Sequence, residues 1–137
     1  MPEQADLADT AFLYPGLASM WAVPARGELR LSEGRLAYSI TDPPPEKVVE
    51  WVERSTRELD LAERLRDWTG PVEVLDVSVA ELRWKISWTT SWNMLALKVQ
   101  GTKWRIRFTP SSGEIDAEEA RGAKIGRRWR KALREAA

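Results

Sequence analysis

The chain carries no histidine and no cysteine. Most zinc and copper sites, cysteine nucleophiles and Ser-His triads need one or the other, so those chemistries are excluded. Carboxylates, Lys, Arg, Tyr, Ser and Thr remain. Asp42, Glu73, Asp76 and Glu81 are the candidate acids, with Tyr38 as a candidate partner. General acid–base work needs two such groups within reach of one substrate, and nothing in their spacing brings two together. They read as solvated surface carboxylates. The expectation is a non-enzymatic protein that uses no cofactor and no metal.

The other chemistry available is charge. The net charge is zero, but residues 1–76 hold 8 basic and 15 acidic side chains, while residues 77–137 hold 13 basic and 6 acidic. Either the two halves touch and neutralise each other, or the basic half offers a surface to an anionic partner. The candidate anion-binding residues are Lys98, Lys103, Arg105 and Arg107 in one region and Lys124, Arg127, Arg128 and Lys131 in another.

The elements that must position these residues follow from periodicity. Residues 82–88, 93–100 and 103–108 alternate apolar and polar, which predicts three consecutive antiparallel strands. Trp84, Ile86 and Trp88 then point inward, as do Trp104, Ile106 and Phe108. Lys98, Lys103, Arg105 and Arg107 gather on or near one outer face. Like charges directly opposite are unfavourable unless acids intervene. Either the acidic N-terminal segment covers this face or it stays open as a cationic patch. Trp84, Trp88 and Trp92 are also four apart, but Ile86 fits period two and Thr89-Thr90 disfavours a helix.

Upstream, residues 17–23 read as a first strand and residues 27–40 as a hairpin turning at Ser32-Glu33-Gly34. Residues 1–16 lack a period, and the first ten or so are expected to be mobile. Pro43-Pro44-Pro45 stops the third strand and opens a helical insertion over residues 44–68. Its apolar stripe is Val48, Trp51, Val52, Ser55, Leu59, Ala62 and Leu65, with a break near Ser55-Thr56. Thr41 or Asp42 is placed to cap it. The opposite face holds Glu50/Arg54, Glu53/Arg57 and Asp60/Arg64, each four apart with the acid first. Residues 71–77 form a fourth strand. From about Ile115 the period turns helical again, with acids early and bases late, as the helix dipole favours. Gly122 and Gly126 would let this helix approach the sheet. The expected core is Trp84, Trp88, Trp104, Phe108, Ile125, Trp129 and Leu133, which uses four of the eight tryptophans.

The fold class is therefore mainly β (α+β). The 137 residues suit one domain, here 17–137 behind a mobile segment 1–16. No stretch approaches the roughly 20 apolar residues of a membrane helix, and the acidic N-terminus lacks the basic region of a secretory signal. A cytoplasmic location is expected, with peripheral membrane association as the alternative.

Seven short antiparallel strands, a helix inserted between strands 3 and 4 and a C-terminal helix give an order that resembles the pleckstrin-homology (PH) superfold. The closing segment Arg128-Trp129-Arg130-Lys131-Ala132-Leu133 is similar to the last PH helix, where a Trp plugs the barrel and an apolar residue follows four later. The hairpin Gly27-Glu28-Leu29-Arg30-Leu31-Ser32-Glu33-Gly34 resembles that of GRAM-type and bacterial PH-like domains. The resemblance implies a seven-stranded barrel or bent sandwich capped by the last helix. It also implies a binding or scaffold module for a protein partner, or a peripheral binder of anionic lipid headgroups. The chain departs from lipid-binding members in the first inter-strand loop, where Arg26 stands alone in place of several bases. Nucleic acid is the less favoured partner, because the Trp residues fall at core-facing positions. Neither the partner's identity nor the oligomeric state follows from the sequence.

Overall fold

The structure, a computed structural model, describes residues 6–16, 23–109 and 115–136. Its elements run β1 (Leu7–Tyr14), β2 (Ala25–Ser32), β3 (Arg35–Ile40), α1 (Glu46–Thr56), α2 (Leu59–Arg66), β4 (Val72–Ser78), β5 (Arg83–Ile86), β6 (Met94–Val99), β7 (Thr102–Arg107) and α3 (Ile115–Ala136). The seven strands make one antiparallel sheet in the order β4-β3-β2-β1-β7-β6-β5. The expected mainly-β class with an insertion after the third strand and a C-terminal helix is present. Closure into a barrel is not: β4 and β5 are the two edges, and among the described residues no ladder joins them.

The strand at the centre of the sheet is β1, in the segment expected to be mobile. Its inward positions are Leu7, Asp9, Ala11 and Leu13, paired with Leu31, Leu29, Gly27 and Ala25 of β2. A carboxylate and a small residue among those four erase the apolar alternation that marks a strand. The strand expected over 17–23 lies almost wholly outside the described residues. In β2, β3, β6 and β7 the alternation held. The β2–β3 hairpin turns through Glu33 (φ 52°) and Gly34 (φ 73°), the pair of left-handed residues that a two-residue hairpin loop requires.

One face of the sheet is the core. It is built from Leu13, Leu29, Leu36, Tyr38, Ile40, Leu95, Leu97, Trp104, Ile106 and Phe108, all buried. The helices cover it from two sides. In α1 the buried side chains are Val48, Val49, Trp51 and Val52, and Trp51 meets Trp104 edge-on with centroids 4.8 Å apart. The insertion is two helices: Arg57 takes a left-handed conformation (φ 58°), and α2 folds back on α1. Thr56 marks the break, its hydroxyl donating to Val52 O at 2.7 Å and accepting from the Glu58 N–H at 3.3 Å. The fold-back lets Arg66 pair with Glu46 at 2.9 Å and Glu53 at 3.0 Å. Those contacts, rather than the expected pairs four apart, are the ion pairs of this hairpin among the described residues. Leu59, expected in the stripe, is exposed because the break rotates it outward. Pro45 is the N-cap residue and makes no side-chain cap; the Thr41 hydroxyl instead donates to Arg26 O.

The last helix docks through its backbone and one tryptophan. A Cβ at Gly126 would run into the Trp92 carbonyl, and one at Gly122 into the Asn93 side chain, so both positions need glycine for the helix to lie this close. Trp129 is fully buried and stacks on Phe108 at 6.2 Å. Its indole N–H donates to Asp9 Oδ2 at 2.8 Å, and Arg128 donates to the same carboxylate at 2.9 and 3.0 Å. Leu133 is fully buried as expected, whereas Ile125 is only half-buried.

Two expected core tryptophans are corrected by β5. Trp84 occupies an inward position opposite Leu97 but is only half-buried, since β5 is an edge strand. Trp88 is 73% exposed. The strand stops at Ile86, and a 3-10 turn over Trp88–Thr90 follows, so period two does not reach Trp88.

Candidate functional site

The outward face of β5–β7 carries charge of one sign only. These strands contain two cations on β5, one on β6 and three on β7, and no acid. Register decides how they sit. Arg83, Lys98 and Lys103 lie directly opposite one another in one row across the three strands. Lys85, Ala96 and Arg105 form the next row, and Met94 and Arg107 a third. Each alternates with an inward residue, so all six cations share one face.

Arg83, Lys85, Lys98 and Lys103 are exposed, and none has an acidic partner among the described residues. Arg105 and Arg107 are half-buried and held by backbone. Arg105 Nη1 donates to Gly16 O at 2.9 Å, and Arg107 Nε to Thr109 O at 3.3 Å. Fixing a guanidinium this way orders it before any partner arrives. Buried Asn93 ties the start of β6 to the end of β7. Its amide donates to Thr109 Oγ1 at 2.7 Å, and its carbonyl oxygen accepts from the Thr109 N–H at 3.1 Å.

The eight cations expected to form one anion-binding surface fall into two groups. Lys98, Lys103, Arg105 and Arg107 share the outer sheet face, joined by Arg83 and Lys85. Lys124, Arg127, Arg128 and Lys131 sit on α3, which packs against the opposite, apolar face through Trp129 and Leu133. Arg128 is already paired with Asp9. The sheet separates the two groups. The signal for Arg83 and Lys85 was in the alternation of β5, which marks both as outward.

The candidate acid–base groups are dispersed. The Tyr38 hydroxyl is buried against backbone, 2.9 Å from Ala11 O and 3.3 Å from Ala25 O. Burial pushes its pKa well above the ordinary tyrosine value. Asp76 pairs with Arg35 at 2.9 Å. A groove of about 270 Å³ between the ends of β4 and β6 is lined by Arg35, Asp76, Glu81, Lys98 and Gln100. That volume is below the usual 300–1,000 Å³ range of small-molecule sites. A shallower concavity of about 540 Å³ beside α2 is lined by Asp60, Glu63, Arg64 and Asp67. No cluster of acidic side chains suited to a metal ion occurs among the described residues. Nor, among them, is any helix long and apolar enough to cross a membrane.

The chain matches no protein-family model and no curated protein sequence.

Proposed function

We propose that this is a PH-like, non-enzymatic binding module that engages an anionic protein partner through the outward face of β5–β7. Support for the PH-like part comes from the strand order, in which β1 bridges a four-strand half and a three-strand half, and from the buried Trp129 of the last helix. The observation that carries the functional part is the cross-strand row Arg83–Lys98–Lys103, three like charges in line, none of them in an ion pair among the described residues. Sheets normally avoid that arrangement, and a fold that breaks a local rule tends to do so at its working surface. The loop between β1 and β2, the usual lipid-binding loop of the superfold, spans residues 15–24 and contains no Lys or Arg, and Arg26 lies in β2 itself, which favours a protein over an inositol headgroup.

The test compares the proteins retained by the immobilised wild-type chain with those retained by the variant carrying Lys98→Glu and Lys103→Glu. A partner held by the first and lost by the second supports the reading. Identical sets refute it.

A second reading is peripheral attachment to an anionic bilayer. What favours it is Trp88, 73% exposed and three residues beyond Lys85, an aromatic suited to the headgroup layer beside cations. Flotation with acidic vesicles that Trp88→Ala weakens and neutral vesicles do not reproduce would promote it over the protein partner.

A further inference from the structure

Resting on the protein-partner reading, we infer that the outer face of β5–β7 is a trough for a short extended run of consecutive acidic residues. The floor is Met94, Ala96 and Lys98 of β6, the first two half-buried and Lys98 exposed at one end. One wall is Arg83 and Lys85 of β5; the other is Lys103, Arg105 and Arg107 of β7.

The dimensions select the occupant. The two walls are two inter-strand spacings apart, roughly 9.6 Å between backbones. A helix with side chains is about 10–12 Å across and is too wide to settle between them. A single extended chain fits. Laid along β6 with its pleat parallel to the face, it sends successive side chains alternately toward β5 and toward β7. Residues on one side then repeat every ~6.6–6.8 Å, the same repeat as the cations along each wall. Two cations on one wall, three on the other and Lys98 between them therefore offer six positive charges to a short run of about five consecutive carboxylates.

Charge favours a short acidic segment over a long polyanion. The formal net charge is zero, and the acidic side chains belong mainly to the first half of the chain. Screening falls off over about 8 Å at physiological ionic strength, so a ligand confined to the trough feels the patch alone. A bilayer or a long nucleic acid extends past it along the sheet, where Glu28 of β2 and Glu73 and Asp76 of β4 are strand acids. The trough also lacks a tryptophan, tyrosine or phenylalanine at the outward positions of β5, β6 and β7 on which a base could stack.

The experiment is fluorescence anisotropy at physiological ionic strength with three labelled ligands: a nonapeptide with five consecutive glutamates, an alanine-rich helical peptide with five glutamates spaced four apart, and a six-nucleotide thymidine strand carrying five phosphates. Binding is repeated with the variant Lys85→Glu/Lys103→Glu, one change in each wall, after circular dichroism shows it folded. The consecutive run is expected to bind about tenfold tighter than either other ligand, and the variant to weaken it about tenfold or more. Equal or tighter binding of the helical peptide, lost equally in the variant, overturns the trough but leaves the face as the protein-binding surface. Tighter binding of the thymidine strand overturns the acidic-peptide assignment. Binding that the variant does not change, or no binding of any ligand, overturns the trough; in the first case the face itself is also wrong.

Discussion

Replacing Trp129 tests how the last helix is held. The side chain is fully buried, stacks on Phe108 and donates its indole N–H to Asp9 at 2.8 Å. Trp129→Ala removes nearly all of that and should cost about 3–5 kcal/mol, a large share of the stability of an ordinary domain. Trp129→Phe is more diagnostic, because it keeps a ring against Phe108 and deletes the N–H. A hydrogen bond to a charged group is worth ~1.5–3 kcal/mol, and here the lower end applies. Asp9 is one-fifth exposed and keeps both contacts from Arg128, so about 1–2 kcal/mol is expected. Asp9→Ala should cost a similar amount by leaving the indole N–H buried without its acceptor. Urea denaturation of both single variants and the double variant gives the coupling. A coupling of about 1 kcal/mol or more is expected. Additivity within about 0.5 kcal/mol would refute the claim that Asp9 and Trp129 hold each other.

Three further outcomes follow from the packing and the charges. Gly126→Ala raises helix propensity by up to about 1 kcal/mol yet should destabilise, because the new methyl meets the Trp92 carbonyl; a raised melting temperature would contradict that contact. Lys98→Glu should stabilise by turning two like-charge cross-strand pairs into opposite-charge ones, at ~0.2–1 kcal/mol each, and high salt should erase the gain; a lower melting temperature at low salt would count against the row. Burial raises the Tyr38 pKa in the folded state above its unfolded value near 10. The folded state then binds more protons at high pH, so this contribution is fully present below about pH 10 and is lost as pH rises beyond it. Tyr38→Phe should flatten that alkaline decline, measured as unfolding free energy against pH.

Much of the sheet was legible because its strands obey period two. The β2–β3 hairpin and β5–β7 alternate cleanly, and the same alternation placed four cations on one outer face. What was not legible depended on distant partners. Asp9 sits at an inward position of β1, where a carboxylate argues against a strand until Trp129 and Arg128 arrive from 120 and 119 residues away. Trp88 looked like one more inward residue, but the chain turns after Ile86. The break in the insertion was legible near Ser55-Thr56, where α1 ends, but the fold-back of α2 that sets Arg66 against Glu46 and Glu53 was not. The cations of α3 and of the sheet looked alike in sequence. Their separation depends on which face of the sheet the helix covers, and no local pattern encodes that.

The account's central claim is that the outer face of β5–β7 is the working surface. Amide chemical-shift mapping of the labelled chain, titrated with the five-glutamate peptide, tests it most directly. The claim predicts shifts confined to Arg83–Ile86, Met94–Val99 and Thr102–Arg107. Shifts concentrated on the exposed cations of α3, with those three strands unmoved, would contradict it.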